Sequence, residues 1–335
     1  MPPIATAGDL AEWLGLSIAQ LDWFADTKRQ HASAQDSALR HYRYTFVFKR
    51  SGLPRLLEAP KPRLKDIQRR ILHEILDHAP IHACAHGFAK GRSCLSSASV
   101  HASEAIVLSL DLCDFFSTVP SDRIHGLFRS IGYPWSVAHL LTGLCTTVTP
   151  RHVLAESDEG RAFDWHARNL LSGPHLPQGA PTSPALANLC AWKLDQRLNG
   201  LANRFDAHYT RYADDLTFSG DDRLARAAKA VLAAIEAIVR DEGFALNRGK
   251  TRIMPSQTRQ KVTGIVVNTH TNIARPDYDR LKAVLYNCKR NGPVAENRSA
   301  YSDFRSHLNG KVTWVENVNP ARGAKLRTLF DSIAW

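Results

Sequence analysis

The chain has 335 residues, 44% of them hydrophobic, and a formal net charge of +11, enough apolar content for two or three compact units and a charge that favours an anionic partner. Its six cysteines stand singly at 84, 94, 113, 145, 190 and 288, which argues against a zinc ribbon and against a secreted disulfide framework. The N-terminus lacks a charged start followed by an apolar core, and no apolar run is long enough to span a bilayer, so a cytoplasmic protein with no membrane partner is expected.

Residues 1–40 read as helical. Ser17-Ile18-Ala19-Gln20 has the spacing of a capping box, and Leu10, Trp13, Leu14, Leu21, Trp23 and Phe24 supply an apolar docking surface. Five acidic residues against three basic ones favour a docking extension over a DNA-reading helix-turn-helix. Residues 41–60 alternate aromatic and polar positions, the pattern of two strands turning at Ser51-Gly52. Basic residues outnumber acidic ones nine to two over 41–70 and eleven to six over 271–335, which makes these stretches the expected phosphate-facing surfaces.

The apolar run 105–110 reads as a buried strand that delivers Asp111 at its end, with Asp114 as the cap of a following helical segment. Helix is predicted over 121–146, broken near Gly132-Tyr133-Pro134, and the polar stretch 149–174 reads as a loop or a short hairpin. Leu176-Pro177-Gln178-Gly179-Ala180-Pro181-Thr182-Ser183-Pro184 forms a stiffened turn before a helix-like run at 185–194. Residues 209–218 read as strand, tight turn and strand, with Asp214-Asp215 at the tip. An amphipathic helix follows over 223–240, stopped at Glu242-Gly243, and two further helices are predicted over 278–291 and 302–308.

Adjacent carboxylates repel and lose solvation, so Asp214-Asp215 calls for a compensating cation, and Mg²⁺ prefers a few carboxylates together with substrate phosphates. An isolated Asp-Asp is a common turn feature. Asp111, on an apolar strand of its own, is what changes the reading. If the two strands are neighbours, three carboxylates converge as a donor set for two metals ~3.5–4 Å apart, with the Leu112 carbonyl as a further oxygen ligand. Gln178 adds an amide, and Gly179 lets backbone approach a ligand closely.

The order of these motifs resembles that of the reverse transcriptases. Asp111-Leu112-Cys113-Asp114-Phe115-Phe116 is similar to their first metal motif, residues 176–184 to the motif that positions template and nucleotide, and Tyr212-Ala213-Asp214-Asp215 to the Tyr-x-Asp-Asp motif. The resemblance runs over residues 40–270, because 44–60 is similar to the fingers hairpin of bacterial enzymes and 62–71 to the helix after it. Val262-Thr263-Gly264 matches a triplet of retron enzymes. Ser97-Ala98-Ser99-Val100-His101 resembles their Asn-Ala-x-x-His element, with Ser97 in place of Asn, and residues 310–320 resemble their thumb.

The resemblance implies an α+β fold of right-hand polymerase architecture, with fingers, a palm built on an antiparallel sheet, and a helical thumb. Residues 1–40 would be an N-terminal helical extension, 41–270 the fingers and palm, and 271–335 a thumb that binds RNA or duplex. Asp111, Asp214 and Asp215 would be catalytic and, with Leu112, would hold two Mg²⁺ ions. Lys49 and Arg55 would bind triphosphate oxygens, unless they are solvated hairpin charges. Phe116 would test the sugar 2′-carbon or else fill the core. Gln178 and Gly179 would meet nucleotide or template, and Lys250, with Arg248 and Arg252 close by, would protonate the leaving pyrophosphate. Ser97, Val262, Thr263 and Gly264 would contact RNA or primer, as would His101 unless it is a satisfied structural histidine.

The implied activity is RNA-directed DNA polymerisation from dNTPs. It would be primed on a 2′-hydroxyl of a cognate structured noncoding RNA and would leave an RNA–DNA chimera (msDNA) bound, with a separate effector protein in antiphage defence. A group II intron-type reverse transcriptase shares the Gln-Gly and Asp-Asp motifs. A non-catalytic RNA-binding scaffold or antitoxin is the reading from a different class.

Overall fold

The computed structural model describes residues 1–33, 36–48, 54–155 and 163–335. Helices α1 (Ala7–Leu14) and α2 (Ile18–Ala25) each start with a capping box, Thr6 with Asp9 and Ser17 with Gln20. Their Leu10, Leu14 and Leu21 join the apolar core of the central sheet, so the extension is docked. Strands β1 (Tyr42–Phe48) and β2 (Pro54–Pro60) pair antiparallel, with Tyr42 opposite Pro60. Lys49 and the expected Ser51-Gly52 turn lie outside the described residues. Pro62, whose fixed φ suits a first turn, opens α3 (Pro62–Glu74).

Next come α4 (Cys94–Ser99), β3 (Ile106–Asp111), α5 (Ser121–Ile131) and α6 (Trp135–Cys145), with the predicted break at Gly132-Tyr133-Pro134. Asp114 caps no helix. Its φ is +45°, its backbone carbonyl accepts from Thr118 N–H at 3.0 Å, and α5 begins only after Pro120. Where a loop or hairpin was predicted, α7 (Arg151–Ala155) and α8 (Trp165–Ser172) form. Asp164 caps α8 by accepting from Ala167 N–H at 2.7 Å. The few apolar residues involved (Val153, Leu154 and Leu171, packed with Leu56) print no helical period in so polar a stretch.

Helices α9 (Ser183–Cys190) and α10 (Trp192–Asn203) lead into β4 (His208–Tyr212), β5 (Asp215–Gly220) and α11 (Asp222–Asp241), the last capped by Asp221. Strand β6 (Arg252–Pro255) and the short pair β7 (Lys261–Val262) and β8 (Ile265–Val266) follow. The C-terminal helices α12 (Arg275–Asn291), α14 (Phe304–Val318) and α15 (Pro320–Asp331) build a separate apolar core around Leu285, Val312 and Leu326, while the short α13 (Pro293–Glu296) buries no residue in it. α14 runs past its predicted end at 308, and α15 was not predicted. Packing of Leu308, Val312 and Val315 against Leu326 and Phe330 supplies what local propensity does not. Among the described residues no helix is long and apolar enough to cross a membrane.

The central sheet is antiparallel throughout, in the order β4-β5-β3-β6. Side chains alternate across it. Ile106, Leu108 and Leu110, with Leu216 and Phe218 opposite, face the main core. Val107, Ser109 and Asp111, opposite Ser219, Thr217 and Asp215, face the other side. One face is therefore greasy, and the other carries hydroxyls that end in carboxylates.

Candidate active site

β3 and β5 are neighbours, and their register sets Asp111 directly opposite Asp215. Directly opposed residues place their Cβ atoms about 4.5–5.5 Å apart on one face. Asp214 is held by its backbone, since the Leu112 N–H donates to the Asp214 carbonyl at 2.9 Å. Leu112 also bridges Leu246, through Asp111 O and Cys113 N rather than through its own carbonyl. Asp111 is buried, while Asp214 and Asp215 are half-buried. Burial, then the charges of Asp214 and Asp111, pushes the Asp215 carboxyl up to about 6. Asp214 is raised as well, first by burial and then by Asp111.

The site thus gathers negative charge at the end of a buried strand and leaves part of it uncompensated. Lys250 answers part of the imbalance, its Nζ donating to both Asp111 oxygens at 2.8 Å. Burial works against that ammonium, but the hydrogen bond and charge of Asp111 hold its pKa above the usual lysine value. Arg248 instead engages Glu236, and Arg252 is exposed on β6. Asp111, Asp214 and Asp215 offer oxygen donors, the kind that suits a hard divalent cation such as Mg²⁺.

Beneath the tip, on the greasy face, lies a buried network that sequence reasoning missed. Arg211 is 0% exposed and bonds Asp195 at 2.8 and 2.7 Å, Asn188 Oδ1 at 2.9 Å and the Ala213 carbonyl at 3.1 Å. Tyr209 donates to the same Asp195 at 2.8 Å. Ala213 is thereby fixed with φ +57°, a conformation unusual outside glycine. Gly87 presses on this turn so closely that a Cβ there would sit 2.3 Å from Ala213 N.

Phe116 is half-buried beside the site, 5.7 Å from the Phe115 ring and 6.0 Å from Phe88. Arg55 is exposed on β2, and its charge offsets a small part of the rise in the Asp214 pKa. Gln178 is half-buried, and its carbonyl accepts from Glu58 N–H at 2.8 Å, which ties its loop to β2. Gly179 has φ +133°, and a Cβ on it would meet the Glu58 carbonyl at 3.2 Å. Glu58 itself is buried, accepting from Thr149 Oγ1 at 2.7 Å and pairing with His175 Nε2 at 2.7 Å. These partners were also missed.

The expected RNA contacts divide. Ser97 and His101 are 0% exposed and therefore offer RNA no surface. His101 bonds Ser219 Oγ at 2.7 Å and Thr210 Oγ1 at 2.8 Å, and Ser97 Oγ lies 2.9 Å from the same Thr210 hydroxyl. This is the satisfied structural histidine, fastening α4 to the sheet. Val262 is core, whereas Thr263 and Gly264, both at positive φ, form the turn between β7 and β8. Thr263 Oγ1 donates to Cys94 O at 2.9 Å, and Gly264 is exposed.

The family model described as Reverse transcriptase (RNA-dependent DNA polymerase) matches residues 47–267. A Retron Mx65 reverse transcriptase from Myxococcus xanthus is 40% identical over 97% of this chain and 71% of its own length. The Retron Mx162 reverse transcriptase of the same organism is 37% identical over 95% of this chain and 65% of its own. Among solved structures, a foamy viral protease-reverse transcriptase in complex with double-stranded DNA matches 89% of this chain and 40% of its own at 14% identity and a TM-score of 0.45. With the opposed aspartates at the ends of β3 and β5 and the motifs in order around them, the chain belongs to the reverse transcriptases, of the bacterial retron type.

Proposed function

We propose that the protein copies part of a cognate structured noncoding RNA into single-stranded DNA, priming on a 2′-hydroxyl of that RNA and leaving an RNA–DNA chimera (msDNA) bound. The reading rests chiefly on Asp111 lying opposite Asp215, with Asp214 at the same tip. Asp111, Asp214, Asp215 and the Leu112 carbonyl hold two Mg²⁺ ions, which when bound supply the charge that activates the attacking hydroxyl and stabilises the leaving pyrophosphate.

The chain's own groups do the positioning. Arg55, and Lys49 from the same hairpin, take triphosphate oxygens; the planar Arg fork and the compact Lys charge suit these anions differently. Gln178 and Gly179 present amide and backbone to nucleotide or template. Phe116 stands beneath the sugar, where a bulky ring favours dNTPs. Lys250 is the proton donor to the pyrophosphate, and Thr263 and Gly264 offer the primer side a backbone turn. Residues 271–335, rich in basic charge, grip RNA and duplex as a thumb, against the fingers and palm of 41–270 and the extension of 1–40. A separate effector protein completes an antiphage system in the cytoplasm.

Purified protein carrying its RNA, given dNTPs and Mg²⁺, is expected to make DNA whose junction with RNA is opened by debranching treatment. A wholly linear product would overturn the priming assignment. Undiminished synthesis by Asp214→Asn with Asp215→Asn would overturn the metal assignment.

A further inference from the structure

The segment joining α2 to β1 gathers a second set of metal-ligand side chains, remote in sequence from the catalytic carboxylates. Asp26 ends α2 in a left-handed conformation, φ +39°. Its carboxylate accepts from the backbone N–H of Gln30 at 2.7 Å and of His31 at 3.2 Å, and it also meets His31 Nδ1. His31 and His41 are 4% and 5% exposed. One ligand atom from each of Asp26, His31 and His41 lies within 4.8 Å of the other two.

The outer contacts of both rings are those of metal-binding histidines. His41 Nε2 lies 2.8 Å from the Trp23 carbonyl, which can only accept, so Nε2 carries the proton and Nδ1 the lone pair. His31 Nδ1 meets the Asp26 carboxylate, which can only accept, so without an ion Nδ1 carries the proton that a metal would replace; Nε2 lies 3.1 Å from Thr147 Oγ1, a hydroxyl able to accept from it once Nδ1 is a ligand. A ligating imidazole typically donates its second N–H to a carbonyl or similar acceptor in this way, which fixes tautomer and orientation. The two backbone N–H groups on Asp26 orient the carboxylate in the same manner. Ligands about 2.0 Å from a tetrahedral centre lie about 3.3 Å apart, so shifts of about an ångström close the set.

We propose that Asp26, His31 and His41 bind a zinc-class divalent ion, separate from the magnesium of the polymerase centre. Two imidazoles and one carboxylate suit zinc and its first-row neighbours, whereas magnesium prefers oxygen ligands. The fourth position opens on a cavity of about 270 Å³, also lined by Asp122, His125, Trp135 and His139, with room for water or an exogenous donor. The ion joins the end of the N-terminal helices to the start of the fingers hairpin, because His41 immediately precedes β1.

The test uses full-length protein stripped with a chelator, dialysed against zinc with Mg²⁺ in excess, and assayed for bound metal by mass spectrometry. About one zinc per chain is expected, falling at least tenfold in His31→Ala with His41→Ala. Cobalt(II) added to the stripped protein should give a visible absorption band that zinc removes. Should the double variant fold poorly by circular dichroism, Asp26→Asn and His41→Gln singly should each lower zinc occupancy while keeping the fold. Stoichiometric zinc in every variant, or none in the wild type, overturns the site, whichever way DNA synthesis behaves.

Discussion

The polar face of the central sheet has two ends built from similar materials and used in opposite ways. At one end His101, Ser97, Thr210 and Ser219 are buried with their hydrogen bonds satisfied among themselves. At the other, Asp111 lies opposite Asp215 beside Asp214, the Lys250 ammonium sits on Asp111, and the tip carboxyls are pushed upward in pKa. A satisfied buried network holds elements together, whereas uncompensated buried charge costs stability and persists where a ligand completes it. The completed end serves as scaffold, and the incomplete end is the candidate site.

The sharpest way to break this contrast is to remove the charge at the incomplete end. Asp214→Asn with Asp215→Asn should cut DNA synthesis by at least about a thousandfold, since metal binding and charge stabilisation go together. Folding stability should rise, by about 1 kcal/mol at neutral pH, because two like charges in a half-buried tip are relieved. A fall in denaturation midpoint would show that the tip is satisfied after all.

The second test attacks the support under the tip. Arg211→Met should cost about 3–5 kcal/mol by stranding the Asp195 charge in the core. Pairing it with Asp195→Leu should recover much of that loss, since hydrophobic replacements of buried ion pairs are often tolerated. Synthesis should stay depressed in the double variant, because the Ala213 carbonyl has lost the donor that fixes its turn. Recovery of both stability and rate would make Arg211 a packing residue only. Gly87→Ala probes the same turn from above. With a Cβ 2.3 Å from Ala213 N, the tip must move, and kcat should drop about ten- to a hundredfold, as small misplacements of catalytic groups do, with RNA retention unchanged.

What could be read in advance follows the same division. Asp111 and Asp214-Asp215 were legible because charge at the end of an apolar strand breaks a pattern, and strand pairing then has few ways to arrange them. The partners of Arg211 were not. Asp195 is 16 residues away in sequence, and an arginine between Thr210 and Tyr212 in a strand carries no mark that its side faces the helices. Glu58 and His175, 117 residues apart, are likewise joined only by the fold. Ser97 shows how a motif can be recognised and its role still missed, while His101 takes the structural alternative that its sequence left open. Their spacing is visible in the chain, but which side of α4 meets the sheet is not. The polar stretch 149–174 hid two helices, because the contacts that stabilise them come from elsewhere in the molecule.

The completed end has its own point of failure, in acid. Burial, with smaller contributions from His208 and His86, lowers the pKa of His101 to about 3. In the unfolded chain the same imidazole titrates near its ordinary value, about 6.5. Between those two values the unfolded state holds the extra proton, so stability rises with pH across that window and falls as acid is added. The loss attributable to this one residue is about 2 kcal/mol on going from pH 7 to pH 5. His101→Gln keeps hydrogen-bonding capacity toward Ser219 and Thr210 without a titrating ring. Urea denaturation of wild type and variant at both pH values isolates the term, since other groups common to the two proteins cancel. The wild type should lose more midpoint than the variant between pH 7 and 5. Equal losses would mean that His101 titrates alike in the folded and unfolded chain, so that burial among Ser219 and Thr210 does not hold its pKa down.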